Sequence, residues 1–341
     1  MMLRSPAPLV ERAAPLELVD VPAPTARPGE LLVRVNVCGV CRTDLDLAEG
    51  RLRAPGYPVI PGHQVVGTVA GLGAGVAGWK IGDRVGIAWI HSACGTCAAC
   101  TAGDENLCAK FESTGCDAPG GFAEYTTVPA AFAHRIPDTL TDALAAPLLC
   151  AGAVGWRSLR LAAIADGDPL GLTGFGASGH LVLQFARQRY PRSPLFVFAR
   201  SESERAFART LGAAWAGATE DEPPEPLAAI IDTTPAWRPV VEALRRLRAG
   251  GRLVINAIRK EPGDQSELLR LDYATHLWME REIKSVANVT RADVREALEA
   301  AAALGLRPTV EEIPLERAND ALAWLRTAGA IRGSKLLRVS A

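Results

Sequence analysis

Four cysteines lie close together in the segment CGTCAACTAGDENLC. Cys94, Cys97 and Cys100 form a CxxCxxC run, and Cys108 follows after seven further residues. Four thiolates are the usual ligands of a closed structural zinc site, and the metal stabilises them in a reducing compartment. An iron–sulfur cluster is the rival, but its compact bacterial motif ends in a shorter spacing followed by proline, whereas Ala109 follows here. We therefore predict structural zinc at this loop, with four loose thiols as the simpler alternative.

Three further residues with metal-binding side chains are scattered along the chain. Cys41 stands in CRTD after the run LLVRVNV, His63 stands in PGHQ, and Cys150 stands in PLLCAG. Taken singly, each is more often a packed residue than a ligand. Spacing alone therefore leaves a second metal site open.

The segment GFGASGH contains a glycine-rich motif of the GxGxxG type. Its members are Gly174, Phe175, Gly176, Ala177, Ser178 and Gly179. An apolar run, Leu170 to Thr173, precedes it, and an amphipathic stretch from residue 177 to 188 follows. Strand, glycine turn and helix in this order favour a dinucleotide-binding turn, where backbone N–H groups meet a pyrophosphate. A plain glycine turn is the alternative.

The residues after the next strand bear on which dinucleotide binds. An acid there would take the ribose 2′-hydroxyl of NAD. After LFVFA, however, the sequence reads Arg200 and Ser201, with Arg205 nearby. Such residues suit the extra phosphate of NADP. The sequence therefore predicts NADP(H), with NAD(H) as the alternative because Glu202 could reach the ribose.

These residues are distributed over two halves of the chain that differ in their predicted secondary structure. Up to about residue 150, short alternating runs separated by Gly and Pro predict a barrel-like β domain. From residue 151 to 286, apolar strands alternate with helices, which predicts a doubly wound parallel sheet and an α/β fold class. Within it, ALRRLR at 243 to 248 is interpreted as a solvated helix face. The last segment contains ADVREALEAAAAL, whose pattern predicts a helix, and composition does not assign this segment to either half.

The composition excludes other classes of protein. The 341 residues carry 37 Lys plus Arg against 38 Asp plus Glu, so there is no basic excess for a nucleic acid backbone. The apolar stretches are all shorter than the roughly 18 residues of a membrane span. The N-terminal stretch carries Glu11 and lacks the apolar core of a signal peptide. We expect a cytoplasmic protein with no nucleic acid or membrane partner.

The motifs CRTD, PGHQ, the four-cysteine loop, LLCAG and GFGASGH occur in the order of the zinc-dependent alcohol dehydrogenases of the medium-chain dehydrogenase/reductase superfamily. The resemblance spans most of the chain, and LDYATHLWMEREIKS is similar to a bacterial branch. It implies a GroES-like catalytic domain over residues 1–150, completed by about 287–341, and a Rossmann domain over 151–286. It also implies two zinc ions per chain, one structural and one catalytic, the catalytic ion held by Cys41, His63 and Cys150.

The resemblance also implies roles for neighbouring residues. Thr43 would be the relay hydroxyl, Asp44 would fix the metal-bound histidine, Arg42 would bind the pyrophosphate, and Val154 would lie beside the nicotinamide. The implied reaction is hydride transfer between a small-molecule alcohol or carbonyl compound and the nicotinamide, with zinc as Lewis acid. The implied assembly is a homodimer or homotetramer.

Two positions depart from the family's pattern. Gln64 replaces a glutamate common in the family, and Asp46 stands where some members have a relay histidine. Asp46 could shuttle a proton only through water or with a raised pKa. Two alternatives therefore remain: a zinc-free quinone or enone reductase, which would lack the three ligands, and a noncatalytic NADPH-binding protein.

Overall fold

The computed structural model describes residues 1–176, 178–327 and 333–340. The chain forms two compact units, the first made of Met1–Ala153 with Val289–Ala341 and the second of Val154–Asn288. The boundaries expected from the sequence were after residues 150 and 286. None of the helices in the described ranges combines the length and the apolar character that a membrane span needs.

The bounds of the regular elements follow chain order. The strands are β1 (Met2–Leu3), β2 (Leu16–Glu17), β3 (Glu30–Val40), β4 (Gln64–Leu72), β5 (Arg84–Ile87), β6 (Ile90–Ser92), β7 (Glu112–Ser113), β8 (Tyr125–Pro129), β9 (Ala133–Arg135), β10 (Leu170–Thr173), β11 (Leu195–Phe198), β12 (Trp215–Gly217), β13 (Leu227–Asp232), β14 (Leu247–Ile255), β15 (Glu282–Ser285), β16 (Val310–Pro314) and β17 (Ser334–Arg338). The helices are α1 (Arg42–Ala48), α2 (Ala98–Thr101), α3 (Asp142–Ala145), α4 (Ala151–Ala162), α5 (Gly179–Arg189), α6 (Glu202–Thr210), α7 (Arg238–Arg246), α8 (Arg291–Ala303) and α9 (Ala318–Thr327).

The first unit is built on a sheet of order β16-β17-β3-β4-β5-β9, in which β8 also pairs with β3. Apart from the parallel β16–β17 pair, its ladders are antiparallel. The alternation in LLVRVNV buries Leu31, Val33 and Val35 of β3 completely, because successive side chains of a strand point to opposite faces. The expected β-rich GroES-like fold is confirmed, and β3 carries the chain to Cys41.

The second unit contains a wholly parallel sheet of order β12-β11-β10-β13-β14-β15. This is the 3-2-1-4-5-6 order of dinucleotide-binding folds, so the expected Rossmann sheet and α/β class are confirmed. The strand order reverses between β10 and β13. Ligands of such sheets bind at the carboxyl ends of the strands at this switch point.

The interpretation of residues 243 to 248 as a solvated helix face is wrong. Helix α7 ends at Arg246, and Leu247 already begins β14. Leu244 is fully buried, and the guanidinium carbon of Arg246 lies 5.0 Å from the ring centroid of Phe198. The run of arginines concealed a helix packed on the sheet, because a long side chain can bury its stem and stack its charged group on an aromatic ring.

Candidate metal centres and nucleotide turn

Cys41 lies at the junction between β3 and α1, where the chain turns from extended to helical. It is the N-cap of α1: its Sγ accepts the backbone N–H of Thr43 at 3.4 Å, and Oδ2 of Asp44 accepts the N–H of Cys41 at 2.9 Å. This reciprocal capping places a sulfur where helix N–H groups stabilise negative charge. The CRTD motif therefore folds into a fixed position for the thiolate.

The side chains of Cys41, His63 and Cys150 converge although the three residues are far apart in the chain. Nε2 of His63 lies 3.3 Å from Sγ of Cys41 and 3.4 Å from Sγ of Cys150. All three donor atoms lie within 4.8 Å of one another. Around tetrahedral zinc, with bonds of about 2.3 Å to sulfur and 2.0 Å to nitrogen, such ligand atoms are about 3.6 Å apart. The three donors therefore fit a single zinc ion.

The electrostatics of this group also suit a cation. Nδ1 of His63 lies 3.5 Å from Oδ1 of Asp44, which also accepts the N–H of Gly62 at 3.2 Å. Burial by itself would lower the pKa of His63, but the neighbouring Cys41 and Asp44 raise it to about 10. The surrounding negative charge thus favours a positive charge on the imidazole, and a divalent metal ion would satisfy the same demand.

The two departures from the family's pattern lie on the elements that follow two of the candidate ligands: Asp46 on α1 after Cys41, and Gln64 at the start of β4 after His63. Asp46 is buried on α1, and its Oδ1 accepts Nε of Arg51 at 2.7 Å. Gln64 is buried in β4 opposite Gly39 of β3. Asp46 is therefore part of an ion pair that closes the end of α1.

The ring of Trp89 packs on the imidazole of His63. The two rings meet edge to face, with 4.9 Å between centroids and an interplanar angle of 88°. Trp89 is therefore in direct contact with a candidate metal ligand.

The loop with Cys94, Cys97, Cys100 and Cys108 brings its four sulfurs within 4.8 Å of one another. Sγ of Cys94 and Sγ of Cys100 are 3.9 Å apart, close to the roughly 3.8 Å expected between sulfurs on tetrahedral zinc. Backbone N–H groups, that of Thr96 foremost, lower the pKa of Cys94 to about 5. Four sulfur donors without nitrogen or oxygen fit a closed structural zinc site.

The glycine turn follows β10 directly. Gly174 has a φ of +79°, which favours glycine, and a Cβ at Gly179 would lie 2.6 Å from the carbonyl oxygen of Gly174. The turn therefore depends on both glycines. It leads into α5 at the switch point of the sheet, which is the position expected of a pyrophosphate-binding turn.

The other members of the motif have different environments. Phe175 is buried and meets the ring of Phe207 edge to face at 5.7 Å, so its side chain is a packing contact. Gly176 has open space where a side chain would begin. Ser178 precedes α5 without a side-chain capping hydrogen bond. Ala177 lies outside the described residues.

The residues predicted to select the dinucleotide lie between β11 and α6. Ser201 caps α6, accepting the N–H of Glu204 at 3.2 Å. Arg205 donates to the carbonyl oxygens of Ala199 at 2.8 Å and Arg200 at 3.2 Å, and its Nε lies 3.0 Å from Glu202. The side chain of Arg205 thus holds the turn itself, whereas Arg200 is exposed.

The remaining predicted residues have simpler settings. Arg42 is exposed in the first turn of α1, and Thr43 is half-buried beside it. Val154 is buried in α4, and its carbonyl oxygen accepts the hydroxyl of Ser158 at 2.7 Å. Sequence reasoning missed a buried ion pair between Asp232 and Lys260 beside the glycine turn. The one local signal was an acid that directly follows the apolar run AAII.

Comparison with known proteins is consistent with this geometry. Residues 27–138 match the alcohol dehydrogenase GroES-like domain. A Mycobacterium tuberculosis protein named "Probable alcohol dehydrogenase AdhA" is 44% identical, over 99% of this chain and 96% of its own length. This chain belongs to the zinc-dependent alcohol dehydrogenases of the medium-chain dehydrogenase/reductase superfamily. The resemblance found in the sequence motifs is confirmed.

Solved structures of alcohol dehydrogenases and related reductases share the fold. The cobalt- and zinc-bound thermostable alcohol dehydrogenase of Pyrobaculum aerophilum is 25% identical, with a TM-score of 0.85 over 99% of this chain and 100% of that one. Acetophenone reductase from Geotrichum candidum, in complex with NAD, is also 25% identical, with a TM-score of 0.82 over 95% of this chain and 94% of that one.

Proposed function

We propose that this NAD(P)-dependent alcohol dehydrogenase acts through a zinc ion held by Cys41, His63 and Cys150. It transfers a hydride between the carbon of a small-molecule alcohol and a nicotinamide, and in reverse reduces an aldehyde or ketone. The observation that carries the proposal is the sulfur–nitrogen–sulfur group, whose spacing matches tetrahedral zinc. Catalytic zinc sites take three protein ligands, whereas structural sites take four.

When bound, the zinc supplies Lewis acidity that lowers the pKa of an alcohol hydroxyl or polarises a carbonyl group. The thiolates of Cys41 and Cys150 balance its formal charge. Asp44 accepts the Nδ1–H of His63, which fixes the tautomer that leaves Nε2 as a ligand. Thr43, two residues from Cys41, is the proposed relay: its Oγ1 would take the alcohol's proton while its own hydroxyl proton passes on toward solvent.

The glycine turn from Gly174 to Gly179 is the proposed pyrophosphate site, and we expect NADP(H) to be preferred to NAD(H). Support for this preference comes from the exposed Arg200 and the lack of an acid directly after β11. Ser201 and Arg205 contribute by holding the turn in place. Arg42 and Val154 stay predicted cofactor contacts.

The four-cysteine loop is the proposed site of a second, structural zinc ion. None of the eight cysteines, all of them described residues, is in a disulfide. This supports the proposed zinc ligation by thiolates and the reducing cytoplasm that we expect. A homodimer or homotetramer remains the expected assembly, which light scattering on the purified protein would measure.

The test is a panel of alcohols and aldehydes assayed with both dinucleotides, before and after chelation, together with zinc analysis. We expect two zinc ions per chain and alcohol oxidation that is lost on chelation and restored by zinc. The Cys150→Ser variant should keep the structural zinc and lose the activity. Enone reduction by a metal-free protein would instead indicate the quinone reductase alternative, and dinucleotide binding without turnover a noncatalytic protein.

A further inference from the structure

A buried ion pair lies at the carboxyl edge of the Rossmann sheet. Asp232 is the last residue of β13 and is completely buried, and the side chain of Lys260, in the segment after β14, is only 7% exposed. Lys260 Nζ donates to Asp232 Oδ2, to the carbonyl oxygen of Thr234 at 2.8 Å and to that of Ala236 at 3.0 Å. An ammonium group has three N–H donors, so each has an acceptor.

These acceptors belong to the turn after β13, residues 232–237, which is held from a second direction. The N–H of Glu261 donates to the carbonyl oxygen of Pro235 at 2.7 Å. Asp264 accepts the N–H groups of Trp237 and Arg238, each at 2.9 Å from its Oδ2. The segment 260–264 therefore encloses the turn, and Lys260 is the member that reaches its interior.

The 232–237 turn also contacts the start of the glycine turn. Asp232 Oδ1 accepts the hydroxyl of Thr173 at 2.5 Å. The single O–H of Thr233 lies within hydrogen-bond distance of two carbonyl oxygens, that of Thr173 at 3.0 Å and that of Gly174 at 3.3 Å. A Cβ at Gly174 would lie 2.8 Å from Cγ2 of Thr234. A shift of the 232–237 turn would therefore reach Gly174 directly.

We propose that Lys260 is a positioning residue for the nicotinamide dinucleotide: by holding the 232–237 turn, it keeps the glycine turn in its pyrophosphate-binding arrangement. The inference rests on the proposed function, since it assumes that the dinucleotide binds at Gly174–Gly179. Lys260 acts through the turn, and its effect falls on cofactor affinity. The apparent Kd of such a site equals its intrinsic Kd divided by the fraction of molecules in which the turn is in the binding arrangement.

The Lys260→Met variant tests this, with Lys284→Met as a matched control, because Lys284 is an exposed lysine of the same unit. NADPH and NADH are titrated into zinc-loaded protein, and binding is followed by fluorescence at a temperature below the onset of unfolding. We expect Kd to rise about tenfold, as for a turn correctly placed about a tenth of the time. At saturating dinucleotide, kcat should stay close to that of the wild type, and Lys284→Met should bind normally.

Lys260→Met alone leaves the carboxylate of Asp232 buried without a cation, which can destabilise the fold. The double variant Asp232→Asn/Lys260→Met controls for this effect, because it leaves no buried charge at the two positions. It still lacks the N–H donors that Lys260 supplies to the carbonyl oxygens of Thr234 and Ala236. We expect its Kd to stay raised; wild-type Kd in the double variant or in Lys260→Met overturns the inference. If the wild type itself binds neither dinucleotide, the proposed function fails and this inference with it.

Discussion

The carboxylate of Asp44 contacts both the backbone and the candidate metal site. One oxygen accepts the N–H of Cys41, and the other accepts the N–H of Gly62 and lies next to the imidazole of His63. Burial raises the pKa of Asp44, although the adjacent His63 opposes the effect. Two of the three candidate ligands therefore depend on a single buried side chain.

Replacing Asp44 with Asn should selectively weaken zinc binding at the proposed catalytic site. Asn can still accept the backbone N–H of Cys41, but it lacks the charge that supports His63 as a ligand, so zinc affinity should fall about 10- to 100-fold. Competition with a chromogenic chelator measures this, and the zinc of the four-cysteine loop serves as the internal control. Equal loss of both metal ions would point to general unfolding and contradict the assigned role.

Replacing Arg200 with Glu should reverse the preference between the two dinucleotides. A carboxylate after β11 can accept the ribose hydroxyls of NAD and repels the 2′-phosphate of NADP. We expect kcat/KM to fall at least about tenfold with NADP and to rise with NAD, which corresponds to about 1.4 kcal/mol in the NADP reaction. Steady-state assays with both dinucleotides measure it. An unchanged ratio would remove Arg200 from the cofactor site.

At the scale of elements, the four-cysteine loop is attached to the start of α8. Glu105, between Cys100 and Cys108, is buried, and its Oε1 accepts both the backbone N–H of Arg291 at 3.0 Å and its side-chain Nε at 2.9 Å. The guanidinium carbon of Arg291 also lies 4.6 Å from the ring centroid of Phe132. The loop is thus attached to a segment that is 186 residues away in the chain.

The Arg291→Met variant should make the loop less stable and release its zinc faster. It leaves the carboxylate of Glu105 buried without a cation; because Arg291 itself is partly exposed, we expect a loss of about 1–2 kcal/mol. Zinc release to a chelator over time measures the effect, with Glu112→Gln as an exposed control. Adding Glu105→Gln should recover part of the loss, since paired groups are not additive.

At the scale of the whole molecule, His134 makes stability depend on pH. Burial, followed by the nearby Arg291 and Arg295, lowers the pKa of His134 to about 4 from its usual 6.5. The folded protein therefore favours the neutral ring. The stability of the fold with His134 neutral is fully present above about pH 6.5. Part of it is lost as the pH falls from about 6.5 to about 4, because His134 takes up a proton more readily in the unfolded chain than in the folded protein.

The His134→Gln variant should flatten this part of the pH dependence. The wild type should lose up to about 3 kcal/mol more stability than the variant between pH 7.5 and 4, because one pKa unit corresponds to about 1.4 kcal/mol. Melting temperatures of both proteins across this range measure the difference. Parallel curves would mean that His134 does not determine the acid sensitivity.

Much of the fold could be predicted from local patterns. LLVRVNV alternates because β3 buries one face, and LFVFA is apolar throughout because both faces of a parallel strand are covered. The stretch from 243 to 248 was misjudged because arginine is normally exposed, whereas Arg246 is buried and contacts Phe198 and Glu242.

The sequence by itself determined what is local: the four-cysteine loop and the glycine turn, because a few neighbouring residues set each of these. Residue patterns did not show which distant side chains meet: the family resemblance implied the trio of candidate ligands, and the tertiary structure brings that trio together. Cys150 is 87 residues from His63, and Lys260 is 28 from Asp232. Neither pair leaves a periodic trace in the sequence, since each is brought together by strand order and by loops that only the packed core holds in place.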